Sequence, residues 1–136
     1  MARDRTGDPT AAEPAFRAAL VIDPNDFDAN LYLGAILLKR REVEEAKPYL
    51  DKAVALNPAS TMALYEHGMW KSNSGQFEEA AKDLETAEKQ DPAWLEPHVE
   101  LATVYYRLHR PEDGARERAI VDKLTAEQQT KGPSKQ

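Results

Sequence analysis

The sequence has no cysteine among its 136 residues, which excludes disulfides and thiolate metal sites and leaves the redox compartment open. It also has no excess of basic residues, because 18 Lys and Arg stand against 24 Asp and Glu, a net charge of −6. Nucleic-acid binding depends on clustered Lys and Arg that displace counterions from phosphates. The sequence shows no such cluster, so we expect no nucleic-acid partner.

Long apolar runs are also missing. The longest uninterrupted stretch extends from Leu31 to Leu38, far short of the roughly 20 residues that a membrane-spanning helix needs. It also lies too far along the chain to be the apolar part of a signal peptide. We therefore expect no membrane insertion, and the localisation remains unknown.

Proline, in contrast, recurs at a fixed interval. Pro24, Pro58 and Pro92 are each 34 positions apart, and each follows an Asp or an Asn. Between them lie two stretches with apolar residues at helical spacing, separated by a short polar turn. Because proline disfavours the helical conformation in the residue before it, a helix must end at each of these positions. The sequence therefore predicts an all-α fold built from a repeated pair of helices.

The expected organisation follows from this period. About seven helices are predicted, at residues 9–22, 27–40, 43–56, 61–73, 77–90, 94–108 and 111–128. They group into a partial first repeat with its second helix alone (1–26), two full repeats (27–60 and 61–94), a terminal repeat with a capping helix (95–128) and a disordered tail (129–136). Since the period is already running at Met1 and is dropped after Pro92, we expect the C-terminal fragment of a longer repeat array.

Small and large residues also recur in phase with the prolines. The second helices carry a small, a large and another small residue, namely Ala12, Phe16 and Ala19, then Ala46, Leu50 and Ala53, then Ala80, Leu84 and Ala87. The first helices carry Leu33-Gly34 with Leu37 and Leu101-Ala102 with Tyr105, whereas the middle unit departs with His67-Gly68 and Lys71. In these residues the chain resembles the tetratricopeptide-repeat family, whose unit is a helix–turn–helix of about 34 residues. The resemblance implies a right-handed α-solenoid of antiparallel helix pairs.

The resemblance also implies where a partner binds, because the outward face of each first helix lines the concave surface of such a solenoid. The partner-binding residues expected on that face are Leu31, Ala35, Leu38, Lys39, Met62, Tyr65, Met69, Asn73, Val99, Thr103, Tyr106 and Arg107. One subset of the family clamps a C-terminal carboxylate with Lys, Asn and Arg, and these are missing from the corresponding positions. We therefore expect a scaffold whose apolar and aromatic groove binds a peptide or helix segment of a protein.

The histidines are the remaining candidates for chemistry. His67 and His98 lie near the inner faces of adjacent first helices, but the sequence places no Asp or Glu convincingly beside both. A zinc site needs at least three protein ligands, and a phosphate loop or nucleophile elbow is absent from the sequence. We therefore expect imidazoles packed between helices, and no catalytic, cofactor or metal site, so that the chain is not an enzyme.

Two alternatives remain open at this point. Phe16 and Leu20 would lack their cover if the chain begins inside a repeat, and an exposed apolar patch favours self-association through the N-terminal helix. In that case the chain is a structural or oligomerisation module and a possible homo-oligomer. The other alternative is a non-catalytic accessory segment of a larger enzyme.

Overall fold

The computed structural model describes residues 9–134, with side chains over residues 11–130. In this part of the chain, a short 3₁₀ turn at Pro9–Ala12 precedes seven α-helices. They are α1 (Glu13–Ile22), α2 (Phe27–Lys39), α3 (Val43–Leu56), α4 (Thr61–Asn73), α5 (Phe77–Gln90), α6 (Leu95–Arg107) and α7 (Pro111–Ser134). The helix bounds predicted from the period coincide for α3, α4 and α5 and differ by one residue at each end of α6.

The helices pack as successive pairs. Helix α2 lies against α3, α4 against α5 and α6 against α7, and the pairs stack through α3 on α4 and α5 on α6. The first helices α2, α4 and α6 also touch one another in that order. This arrangement is an all-α solenoid and confirms the expected fold class.

Local side chains fix where the first helices begin. The Asp26 carboxylate accepts a hydrogen bond from the Ala29 amide at 3.0 Å, and the Ser60 hydroxyl accepts one from the Ala63 amide at 3.1 Å. Such N-caps satisfy amides that have no partner inside the helix and contribute about 1 kcal/mol each. Trp94 holds the same position before α6 and makes no side-chain cap. The third unit therefore lacks this side-chain cap, so the role of Trp94 is not to cap α6.

Glycines let the paired helices approach closely. A Cβ atom on Gly34 would lie 2.5 Å from Leu50 Cδ2, and one on Gly68 would lie 2.9 Å from Leu84 Cγ. Leu50 and Leu84 are fully buried, and burying each side chain contributes about 2 kcal/mol. A glycine inside a helix costs about 1 kcal/mol relative to alanine. The close packing of a leucine on each glycine explains why the residue recurs at this phase.

The turns within the pairs share one backbone feature. Arg41, Gly75 and His109 are 34 positions apart, and all three have positive φ angles of 66°, 79° and 60°. Gly75 adopts this conformation without a steric cost, whereas a side chain makes it unfavourable by about 1–2 kcal/mol. The left-handed residue is therefore imposed by the geometry of the turn rather than by the residue type.

The C-terminal end differs from the expectation. Helix α7 continues to Ser134 instead of stopping at residue 128, so the disordered tail expected at 129–136 is wrong as far as residue 134. The segment from Leu124 to Thr130 contains mostly good helix formers and no proline or glycine, so nothing in it ends the helix. Residues 135–136, like residues 1–8 of the partial first repeat, lie outside the described part. No helix among the residues described is both long enough and apolar enough to cross a bilayer.

Candidate functional site

A groove of about 770 Å³ runs along the first helices of the stack. It is bounded by the beginning of α1, by one face of α2 and of α4, and by the beginning of α6. Its lining comprises Ala12, Phe16, Tyr32, Ala35, Ile36, Leu38, Lys39, Arg41, Met62, Tyr65, Glu66, Met69, Ser72, Asn73, Trp94, Glu96 and Glu100. The lining is mostly apolar and aromatic, with two basic side chains at one end and carboxylates toward α6.

The structure divides the twelve residues expected on the concave face. Seven of them line the groove, namely Ala35, Leu38, Lys39, Met62, Tyr65, Met69 and Asn73. Val99, Thr103 and Tyr106 lie instead in a separate depression of about 320 Å³ that α7 helps to form. The guanidinium of Arg107 lies over the Phe77 ring, 5.3 Å from its centroid. The expected surface is therefore two surfaces, and the larger one is centred on α2 and α4.

Leu31 was expected on the concave face, and that expectation is wrong. Its side chain is 2% exposed and belongs to a buried cluster with Ala63 and Trp70 of α4. The same position of the next units holds Tyr65, which is half-buried, and Val99, which is 42% exposed. The environment of this position changes along the stack because the neighbouring unit covers it to a different extent each time.

Aromatic rings stand at both ends of the groove. The Tyr65 and Trp94 rings lie 4.7 Å apart between centroids in a tilted arrangement, and Phe16 stacks on Tyr32 at 5.6 Å. Trp94, which gives no N-cap to α6, thus holds Tyr65 in place and forms one wall. Trp94, Phe16 and Tyr32 are not among the twelve residues expected on the concave face.

Carboxylates make up the least expected part of the lining. Burial raises the pKa of Glu66 to about 7, although the attraction of Lys39 lowers it in part. Burial also raises the pKa of Glu100 and of the Tyr65 hydroxyl, and the latter is raised further by Glu66, Glu100 and Glu96. Over residues 11–130, Glu66 and Glu100 make no side-chain hydrogen bond or ion pair. The groove therefore contains two half-buried acids without a partner.

A sequence signal for these acids did exist. Tyr32, Glu66 and Glu100 are 34 positions apart and follow directly after Leu31, Tyr65 and Val99. The residues that face the groove therefore lie, in part, one position later in the sequence than the residues expected there. Neighbouring positions of a helix point about 100° apart, so a wide groove is lined by both sets of positions, by Tyr65 from one and by Glu66 and Glu100 from the other.

Histidines lie on the other side of the first helices, each with its own pair of acids. His67 donates from Nδ1 to Asp83 and from Nε2 to Asp51, both at 2.8 Å. Burial lowers the pKa of His67, but the hydrogen bonds to Asp83 and Asp51 outweigh it, so the net pKa is raised. An imidazolium therefore joins α3, α4 and α5, where the sequence had indicated only packing.

His98 has a more deeply buried arrangement. Its Nε2–H donates to the Pro92 carbonyl at 2.7 Å, and its Nδ1 lies 2.8 Å from Glu117 and 2.9 Å from Glu88. Burial lowers the pKa of His98, whereas the hydrogen bonds with Glu117 and Pro92 raise it to a net increase. Burial and the neighbouring Glu117 raise the pKa of Glu88 to about 7. The three groups therefore share protons at the contact of α5, α6 and α7.

These three side chains could also be considered as a metal site, since their donor atoms lie within 4.8 Å of one another. Zinc bonds of about 2.0–2.1 Å in a tetrahedral site would separate the donors by about 3.3 Å. The distances of 2.8 and 2.9 Å from the His98 Nδ1 are hydrogen-bond lengths instead. The geometry fits a shared proton better than a cation.

Comparison with known proteins matches parts of this chain to a repeat family. The family model described as tetratricopeptide repeat matches residues 1–61. The peroxisomal targeting signal receptor of Kluyveromyces lactis is 39% identical over 72 residues, which are 53% of this chain and 13% of the receptor. Across the curated relatives that match, this chain spans between 8% and 13% of the length of the relative.

Solved structures agree in fold. MamA from Desulfovibrio magneticus RS-1 superposes with a TM-score of 0.79 at 29% identity, covering 92% of this chain and 71% of that one. YrrB, described as a TPR protein with an unusual peptide-binding site, superposes with a TM-score of 0.74 at 26% identity, covering 85% of this chain and 60% of that one. The three chains thus share the same fold.

Proposed function

We propose that this chain, a member of the tetratricopeptide-repeat family, is a non-catalytic scaffold that binds a peptide or helix segment of a partner protein in the groove along α2 and α4. The observation that carries the proposal is the groove itself, an open channel of about 770 Å³ with aromatic rings at both ends. Volumes of this size hold a compact ligand or a few side chains of a longer segment. The walls are therefore matched to a short stretch of a protein.

The composition of the walls supports the proposal. Tyr65 and Trp94 present large, rigid surfaces, and such residues are enriched among those that contribute most to protein binding. Met62 and Met69 lie beside them, and flexible thioether side chains adapt to ligands of different shape. An apolar side chain of a partner would displace water from this patch, and the rigid rings of Tyr65 and Trp94 would lose little conformational entropy.

Two relatives support the same function. YrrB is described as having a peptide-binding site, and the Kluyveromyces lactis relative is named as a receptor for a targeting signal. Both are longer than the region they share with this chain, so neither identifies the partner. They favour a ligand that is a segment of polypeptide.

Selection from a library of random linear peptides tests the proposal, with binding then measured by titration calorimetry. Tyr65→Ala combined with Met69→Ala should abolish most of the affinity of the selected peptides. The matched control is Tyr106→Ala combined with Val99→Ala, which removes a similar pair from the separate depression beside α7. Equal binding by wild type and the Tyr65–Met69 variant would contradict the proposal.

A second function is favoured by a different observation. Phe16 and Leu20, which were expected to be uncovered, are partly buried against the core, whereas Val21 and Ile22 at the end of α1 are 84% and 86% exposed. A second copy covering these two residues would make the chain an oligomerisation module. Sedimentation velocity at increasing concentration distinguishes the two, because Val21→Ser with Ile22→Ser would then convert an oligomer into a monomer. A wild-type chain that stays monomeric would rule the second function out.

A further inference from the structure

We propose that the groove selects a partner segment carrying an arginine or lysine side chain, whose cation is held between Glu66 and Glu100. The inference rests on the proposed function, because it names the chemistry of the segment that occupies the groove. It concerns a specificity that the apolar walls alone would not produce.

The placement of the two acids is the first argument. Glu66 of α4 and Glu100 of α6 occupy the same position in successive units, and both line the groove. Both are half-buried, and neither has a hydrogen-bond or ion-pair partner in residues 11–130. Glu96 lies on the same stretch of wall. Negative charge is therefore concentrated where α4 meets α6.

Within residues 11–130, no ion pair neutralises this charge. Lys39 of α2 also lines the groove and attracts Glu66 from a distance, but it is exposed and forms no ion pair with it within 4.0 Å. The remaining basic residue of the lining is Arg41, in the turn after α2. The acidic end and the basic end of the groove thus lie on different helices.

Desolvation provides the second argument. A ligand that covers the groove removes the remaining water from Glu66 and Glu100, and burying a carboxylate without a partner is strongly unfavourable. A purely apolar segment would therefore be penalised by the same contacts that attract it to Tyr65 and Trp94. A segment with a guanidinium or ammonium group removes the penalty and gains charge-assisted hydrogen bonds. The groove thus disfavours a segment without a cation as well as favouring one that carries a cation.

The aromatic wall fits the same side chain. Tyr65 and Glu66 are adjacent on α4, and the Tyr65 ring packs on Trp94. The methylene stem of a lysine or arginine can lie along these rings while its charged end reaches the carboxylates. A cation over an aromatic face adds a modest attraction at such partly exposed sites.

The experiment uses the full chain and selection from random linear peptides. Wild type is compared with Glu66→Gln combined with Glu100→Gln, which keeps size and removes charge. The matched control is Glu44→Gln combined with Glu78→Gln, an exposed pair with the same 34-residue spacing on the second helices. Each selected peptide is also made with its basic residue replaced by glutamine, so that every affinity enters a double-mutant cycle.

The inference predicts that wild type and the control variant enrich peptides with an arginine or lysine beside apolar residues. The Glu66–Glu100 variant should bind them at least about tenfold more weakly, the scale of one charged hydrogen bond. Replacing the basic residue of the peptide with glutamine should weaken its binding to wild type by the same factor. The same replacement should leave binding to the Glu66–Glu100 variant unchanged.

Two other results would overturn it. Groove-bound peptides without a basic residue, held equally well by the Glu66–Glu100 variant, would refute the selectivity and leave the proposed function intact. Peptides that ignore the Tyr65 and Met69 substitutions would refute the proposed function, and the inference with it.

Discussion

The chain contains two kinds of buried acid, and they differ in what they are paired with. Behind the first helices, Asp83 and Glu117 each accept a hydrogen bond from a histidine at 2.8 Å. In the groove, Glu66 and Glu100 are half-buried without such a partner. Acids of the first kind are satisfied by partners within the stack, whereas those of the second kind depend on water, on protonation or on a ligand.

This difference separates stability from function. Removing a partner from a satisfied acid leaves a buried charge alone and destabilises the fold. Removing the charge from an unsatisfied acid removes the unfavourable burial of a charge from the folded protein. It also removes the carboxylate that would hold a cationic ligand. The substitutions below test this distinction, beginning with the largest expected effect.

His98→Ala should lower the free energy of unfolding by about 3 kcal/mol, the scale for breaking a buried ion pair. The change leaves Glu88 and Glu117 facing each other, and Glu117 is only 10% exposed. Chemical denaturation at pH 6 measures the effect, because the raised pKa keeps the imidazolium charged there. Adding Glu117→Gln to this variant should restore part of the loss, and an equal or larger loss in the double variant would contradict the account.

His67→Ala should cost less, about 1–2 kcal/mol. Its partner Asp51 is 43% exposed and also pairs with Lys47 at 2.9 Å, so water and the lysine can replace the imidazolium. The same denaturation experiment ranks the two histidines. A larger loss of stability for His67→Ala than for His98→Ala would mean that burial does not determine how strongly these histidine–carboxylate contacts stabilise the fold.

Glu66→Gln should raise the free energy of unfolding at high pH, which is the opposite of the effect expected for the two histidine substitutions. Because burial raises the pKa of Glu66 from its usual 4.5 to about 7, the folded state binds more protons than the unfolded state between these values, and stability falls as pH rises through that window. Glutamine carries no such penalty, so the variant should be more stable than wild type by about 2 kcal/mol at pH 8 and equal to it near pH 4.

The control for that experiment lies in the surroundings of Glu66. Lys39, Glu96 and Glu100 also carry or gain charge in the groove, and all of them are unchanged in the variant. Thermal unfolding followed by circular dichroism from pH 4 to pH 8 gives both curves. Parallel curves for wild type and variant would show that the folded protein does not penalise the Glu66 charge.

Glu44→Gln should have the smallest effect, within about 0.5 kcal/mol. Glu44 is exposed in the first turn of α3, where its charge adds only a weak attraction to the helix dipole. A loss above 1 kcal/mol in denaturant would show that exposed acids also matter to the stack, and the contrast between the two buried kinds would weaken.

The repeated parts of the structure could be predicted because their causes are local and periodic. The pairs α2–α3 and α4–α5 each end before a proline, and Gly34 and Gly68 each meet a leucine of the following helix. These relations recur every 34 residues, so one unit of sequence carries the information for the next.

The site could be predicted only in part, because its residues depend on what lies next in the stack. Leu31, Tyr65 and Val99 hold one position in three units, yet they are buried, half-buried and exposed. The acids beside His98 come from positions 88 and 117, on two other helices. A period within one sequence does not indicate which long-range neighbour covers or pairs with a side chain.

The most direct test measures stability and peptide affinity on the same Glu66→Gln, Glu100→Gln variant at pH 8. The account predicts that the free energy of unfolding stays the same or rises while the affinity for an arginine-containing peptide falls by about tenfold or more. A variant that loses stability and keeps its affinity would contradict the claim that these two acids serve a ligand rather than the fold.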